Sequence, residues 1–294
     1  MKKIIALFFA TIFSTFSFAQ KSDLIKTEKP HKIYSSFEIG GGYGESHYYG
    51  DLSKGFFQLK NMHQDLCAFI RYQRGRNWAV KLMYNKGQIS GDDAYNKAAL
   101  KPRNLRFFSP LKEYALMAEY AYPEFTVCRQ YNWSPYITAG VALFKFQPQA
   151  NGFGDLHSLS TEGEGLPECP DRKMYSLTQI GIPVGVGIKF IPAKRIILGA
   201  ELAMRKTFTD YLDDVSTTYV SPAILLQEKG EAAVKAAYRG SYKYPNNDPT
   251  GQNRGNSSTK DWYCIFTINV SIALYYDCFT EQHRYNDVGG CKSF

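Results

Sequence analysis

The stretch Arg205–Val220, RKTFTDYLDDVSTTYV, sets three carboxylates, Asp210, Asp213 and Asp214, among aromatic and hydroxyl side chains. Clustered carboxylates can ligate a hard cation such as Ca²⁺ through oxygen, divide general acid and base roles, or brace a loop through its backbone amides. A second acidic run, STEGEGLPECPDRK, carries Glu162, Glu164, Glu168 and Asp171 near Lys173. It lacks the regular alternation of a Ca²⁺-binding EF-hand loop, so a solvated turn is expected there. A nucleophilic enzyme needs a base beside its nucleophile, and the chain has five His. His47, Asp51, Ser109 and Ser160 could meet if loops folded over one mouth of the structure, but strand order does not place them together. The glycine runs GGGYG and GVGIK do not open a helix after a buried strand, as a dinucleotide site requires. No enzymatic activity and no cofactor are expected. The elements that carry these residues decide the rest.

Residues 1–19 read as an export signal: Lys2 and Lys3, an apolar run from Ile4 too short to span a bilayer, then Ser17 and Ala19 before Gln20. No later stretch approaches the ~18 uninterrupted apolar residues of a spanning helix. The 22 Tyr, 20 Phe and 24 Gly favour turn-rich β structure. Of 35 Lys and Arg, loss of Lys2 and Lys3 with the signal leaves 33 against 27 acids, a mild excess with no long basic stripe in sequence. A nucleic-acid partner is set aside.

Period-two alternation recurs along the chain. Ile180, Ile182, Val184, Val186, Ile188 and Phe190 alternate with Gln179, Gly181, Pro183, Gly185, Gly187 and Lys189. After IPAKR the pattern resumes from Ile196 to Met204, which makes a hairpin. Further strands are expected at Ile33–Tyr43, Leu66–Tyr72, Trp78–Tyr84, Glu113–Ala121, Tyr136–Phe146 and Trp262–Tyr276. Links of about four or five residues between strands two and three and six and seven, and a medium loop at Tyr122–Ser134, alternate with long links, so short turns share one end and long loops the other. An even strand count with this asymmetry predicts an all-β fold: an eight-stranded antiparallel outer-membrane β-barrel with short periplasmic turns and long extracellular loops. The expected organisation is a signal peptide at 1–19, a periplasmic lead-in at 20–32, a transmembrane barrel at 33–276 and a periplasmic tail at 277–294.

The faces opposite the apolar ones carry Glu38, Arg71, Lys81, Glu119, Lys189, Glu201 and Arg205. A charge facing lipid costs about 2–4 kcal/mol at the midplane, so these seven must point into the lumen as an internal ion network. Tyr72, Trp78, Tyr84, Tyr114, Tyr120, Trp262 and Tyr276 fall near the ends of apolar faces, where interfacial girdles belong. Cys67, Cys128, Cys169, Cys264, Cys278 and Cys291 include no CxxC pair. An oxidising periplasm permits a bridge from Cys278 to Cys291 or to Cys128.

Five segments, YYGDL at 48–52, FKFQPQA at 144–150, TEGEGL at 161–166, YSLTQIGIPVGVGIKF at 175–190 and the opening stretch, together resemble the PorG family. That family is the outer-membrane barrel of the type IX protein secretion system of Bacteroidetes. The resemblance implies a non-enzymatic component associated with the periplasmic ring of PorK and PorN, in a machine that exports proteins with C-terminal signals and in some members serves gliding motility. It brings no catalytic residues. The partner surface is then expected on the periplasmic side, at Arg74, Arg76, Arg129, Lys194, Arg195 and Arg284, facing an acidic patch. A small OmpA-like or OmpX-like structural or adhesion barrel is the alternative. The opening stretch should leave the bilayer above Arg205, with its carboxylates within reach of water and of basic residues such as Lys206.

Overall fold

The structure, a computed structural model, describes residues 34–53, 59–128, 132–240 and 248–276. The expected signal peptide, lead-in and tail lie outside these residues, as do Arg129, Arg284, Cys278 and Cys291.

Eight long strands form the framework: β1 (Ser35–Tyr49), β2 (His63–Arg74), β3 (Trp78–Asp92), β4 (Arg106–Ala121), β5 (Trp133–Phe146), β6 (Thr178–Ala193), β7 (Ile196–Thr207) and β8 (Trp262–Tyr276). Each pairs antiparallel with the next in sequence, and β1 pairs back onto β8 from Ser36 opposite Tyr276 to Tyr49 opposite Trp262. The sheet is thus a closed barrel whose long strands leave no unpaired edge. Residues 75–77, 122–132 and 194–195 join strands at one end; 50–62, 93–105, 147–177 and 208–261 join them at the other.

The strands outrun their expected limits at the long-loop end. β1 continues to Tyr49, β3 to Asp92, and β4 begins at Arg106 instead of Glu113. A tilted strand crosses a bilayer in about 9–11 residues, so β4, at 16 residues, carries the barrel well beyond it. Above the lipid an outward position has no need to be apolar, and the alternation that marks a spanning strand fades.

The two faces settle the environment. Ile137 and Ile268, each 62% exposed, and Leu66, Ile180 and Val186 point outward, whereas Arg71, Lys81, Glu119 and Lys189 are buried within. A water-soluble barrel would invert this arrangement. Apolar outside and charged inside, the chain is an outer-membrane β-barrel. Among the described residues no helix is long and apolar enough to cross a membrane. Glycine on the inward faces makes room for rings: a Cβ on Gly187 would stand 2.3 Å from the Tyr136 ring, and one on Gly40 2.6 Å from Phe69.

Apolar clusters close both ends of the lumen. At the short-turn end Phe125, from the 122–132 loop, packs with Val127, Tyr136, Ile191 and Ile197. The side chain of Gln73 holds that loop by donating to the Phe125 carbonyl at 2.7 Å. At the other end Tyr48, Leu52, Phe107, Phe144, Phe146, Leu212 and Tyr263 form a larger cluster. Above it the long loops build a cap. Its helices α1 (Pro222–Lys229) and α2 (Glu231–Ala237) pack on Leu166, Tyr219 and Tyr238.

Candidate functional site

Inward alternation on six strands buries all seven expected charges, six of them in one network. Glu119 on β4 is its hub, taking Lys189 from β6 at 2.5 Å, Arg71 from β2 at 3.1 Å and Lys81 from β3 at 3.2 Å. Arg71 also binds Glu38 of β1 at 2.7 Å, and Lys81 binds Glu201 of β7 at 2.5 Å. Tyr136 donates to Glu201 at 2.7 Å, and Ser271 of β8 donates to Glu38 at 2.9 Å. All eight strands are therefore tied across the lumen.

Arg205, the seventh residue, belongs to a separate tier nearer the cap, and its partner was not among those expected. It forms two hydrogen bonds to Glu113, at 3.0 and 3.1 Å, and Glu113 also accepts from Asn85 at 2.7 Å and Tyr263 at 2.5 Å. Sequence reasoning missed Glu113 because it took that residue as the start of β4, and Pro110 just before it reads as a strand end. It missed Asp65, fully buried on the inner face of β2, for the same reason. Two residues of additional alternation would have found both.

The opening carboxylates lie in the cap, and two expectations about them are corrected. They are buried rather than open to water: Asp210, Asp213 and Asp214 are 3%, 1% and 0% exposed. The cation that reaches them is Arg254, 3.8 Å from Asp214, and not Lys206, whose ammonium lies outside the barrel 5.7 Å over the Trp262 ring. The three point to different partners. Asp210 accepts from Ser216 at 2.7 Å. Asp213 accepts from Tyr48 at 2.6 Å and from the Val215 amide at 3.0 Å. Asp214 accepts from Thr161 at 2.5 Å and Tyr175 at 2.7 Å, while Arg254 donates to its carbonyl. Among the described residues no three His, Cys, Asp or Glu side chains are grouped to hold a metal ion.

The second acidic run is also corrected. Glu162 and Glu164 are buried, not solvated, while Glu168, Asp171 and Lys173 are exposed. Glu162 receives Arg254 at 3.0 Å, the amides of Ser216 and Thr217 at 3.0 and 2.9 Å, and the Thr217 hydroxyl at 2.6 Å. The two runs that looked like separate sites are thus one: TEGEGL and the LDDVSTT part of the opening stretch clasp each other through Arg254. The residues of the hydrolytic reading bond elsewhere. Asp51 accepts from the Asn256 amide at 2.7 Å and Ser109 from the Gln147 amide at 2.9 Å.

Burial in the cap favours the protonated form of its acids. Tyr48 contacts both Asp213, at 2.6 Å, and Asp261, at 2.9 Å. One hydroxyl has one hydrogen to give, so a hydrogen bond at both contacts requires one of the two acids to be protonated. In keeping with this, burial first and neighbouring carboxylates second push Asp213 and Asp261 well above the ordinary range. Burial, then Asp214 and Glu162, push Glu164 from 4.5 to about 8. An opened cap would return Glu164 to its ordinary value. Between 4.5 and about 8 the open form then binds fewer protons than the closed one, so cap stability is full below that window and falls as pH rises through it. Hydrogen exchange in 208–240, corrected for its intrinsic rate, should therefore speed up from about pH 5 to about pH 9, and Glu164→Gln should make the profile shallower, leaving the share of Asp213 and Asp261.

At the short-turn end Arg74, Lys194 and Arg195 are exposed, and Arg76 pairs with Glu124 at 2.9 Å. Cys128 is in a disulfide, and Cys67, Cys169 and Cys264 are free thiols.

A family model described as "Domain of unknown function (DUF6089)" matches residues 29–222. The sequence matches none of the curated proteins compared with it. Among solved structures the chain is similar to Ail, the attachment invasion locus protein of Yersinia pestis, in complex with the heparin analogue sucrose octasulfate. That match has 14% identity, covers 83% of this chain and 100% of Ail, and has a TM-score of 0.38. Neisserial surface protein A is similar at 11% identity, with 81% and 97% covered and a TM-score of 0.39. The outer membrane protein OprG of Pseudomonas aeruginosa gives 11%, 83% and 98%, and 0.39.

Proposed function

The chain belongs to the DUF6089 family, and on that footing we propose that it is a non-enzymatic outer-membrane component of the type IX secretion system, which anchors or positions the periplasmic PorK and PorN ring. The observation that supports this reading is the closed lumen. Apolar clusters at both ends and charges paired across the middle leave no passage for a polypeptide, so a role in export must be exerted through a surface. The exposed Arg74, Lys194 and Arg195 share the end that faces the periplasm, where an acidic patch on the ring would meet them.

Charge reversal at these three positions should cut recovery of ring proteins with the barrel at least about tenfold, because rim charges mainly steer and hold encounters between complementary surfaces. The measurement is co-purification from outer membranes in mild detergent, with Glu at 74, 194 and 195. Undiminished recovery would move the contact away from this surface. Ring and barrel that never crosslink in cells would sink the reading itself.

The ordered cap favours one second reading, an OmpA-like or OmpX-like adhesion barrel that acts through its external loops. Accumulation of unexported substrates in a deletion strain separates the two, since an adhesion barrel leaves export intact.

A further inference from the structure

Three lysines far apart in sequence stand side by side on the outside of the barrel. Lys86 of β3 is in register with Lys112 of β4, and Lys112 with Lys145 of β5. All three are exposed and point outward. Directly below them on the same faces lie Tyr84, Tyr114 and Leu143, and the two tyrosine rings, 4.9 Å apart, belong to the external aromatic girdle. The row ends at Leu66 on one side and Thr178 on the other.

Facing residues on paired strands have Cβ atoms about 4.5–5.5 Å apart, and like charges there repel. Nothing nearby relieves the repulsion. Among the described residues none of the three lysines reaches a carboxylate, and the next outward positions are Gln88, Pro110 and Gln147 above and the girdle below. Elsewhere on the strands an outward cation stands beside a group that can relieve it. Asp92 stands in register with Arg106 higher on β3 and β4, and Lys206 lies over Trp262. A row of three unrelieved ammonium groups at the upper edge of the lipid-facing belt is stabilised by an anion that spans it.

We propose that Lys86, Lys112 and Lys145 form a docking row for the phosphorylated head group of a lipid in the outer leaflet. The position selects a lipid over a soluble anion. A molecule with phosphate among the lysines can lay its acyl chains down the adjoining face over Leu116 and Val141, which are half exposed. Each lysine beside an anionic membrane surface contributes about fivefold in affinity, so the row contributes about a hundredfold. The inference is independent of the secretion reading, because it concerns the lipid face and not the periplasmic end.

The test uses the full chain in non-ionic detergent, with lipid binding followed by native mass spectrometry. The probes are lipid A bearing both phosphates, dephosphorylated lipid A and inorganic phosphate. The variants are Lys86→Gln/Lys112→Gln/Lys145→Gln and the corresponding triple Arg chain. Phosphorylated lipid A should bind the wild type and the Arg chain about a hundredfold more tightly than the Gln chain, and dephosphorylated lipid A should bind all three weakly. Without lipid the Gln chain should melt no lower than wild type, because its repulsion is relieved. Lipid A affinity of the Gln chain within about twofold of wild type would overturn the proposal, and so would inorganic phosphate binding as tightly as lipid A. Should the triple Gln chain not fold, Lys112→Gln at the centre of the row decides: about fivefold weaker binding supports the row, and unchanged binding rejects it.

Discussion

Glu119→Ala should destabilise the barrel by about 3–5 kcal/mol, the usual consequence of removing one partner from a buried ionic group. Its three cations fare unequally. Arg71 keeps Glu38 at 2.7 Å and Lys81 keeps Glu201 at 2.5 Å, but Lys189 is left with no carboxylate. The Tyr136 and Phe125 rings, 4.7 and 5.3 Å from its ammonium, cannot replace a formal charge. Urea unfolding of detergent-refolded protein measures the loss. The double variant Glu119→Gln, Lys189→Met should recover most of it, because exchanging a buried pair for neutral groups of similar volume is close to neutral. A loss below about 1 kcal/mol in the single variant would mean that water reaches the lumen and solvates the lysine. The network would then not be what closes the barrel.

Arg254→Met should open the cap while leaving the barrel folded. Arg254 is 1% exposed and is the cation shared by Glu162 and Asp214, the two acids that join the 147–177 and 208–261 loops. Without it two carboxylates remain buried with hydroxyl and amide donors alone, at a cost again of about 3–5 kcal/mol, concentrated outside the membrane. The expected result is rapid proteolytic cleavage within 208–261, with the urea midpoint of the barrel unchanged. Arg254→Lys should restore protection in part, since an ammonium supplies the charge without the planar fork. Simultaneous loss of barrel and cap would show that the two fold as one unit.

The barrel itself was legible in the sequence, down to individual luminal charges. Period-two alternation fixes which side of a strand each residue occupies, and the cost of charge in lipid fixes which side is inner. Arg71, Lys81, Glu119, Lys189, Glu201 and Glu38 could be assigned from these two facts, and so could Arg205. The signal ended where the lipid ended. At the upper edge of the lipid-facing belt Asp65 and Glu113 still face inward, but just beyond Leu66 and Tyr114 the outward positions turn polar, at Gln64 and Lys112, and Pro110 interrupts the pattern.

The cap was not legible, and neither was the lysine row. The carboxylates of Asp213 and Asp214 looked solvated because their partners lie far along the chain: Tyr48 is separated from Asp213 by 165 positions and Arg254 from Asp214 by 40. Burial there follows from loops packing on one another, for which no periodicity exists. Lys86, Lys112 and Lys145 each looked like an ordinary exposed lysine, and only strand register brings them into line. By itself the sequence determined strand count, face and environment, because these depend on local alternation and on the solvent each face meets. Tertiary structure alone decided which charges become neighbours, because a Coulomb interaction falls with distance through space and takes no account of separation along the chain.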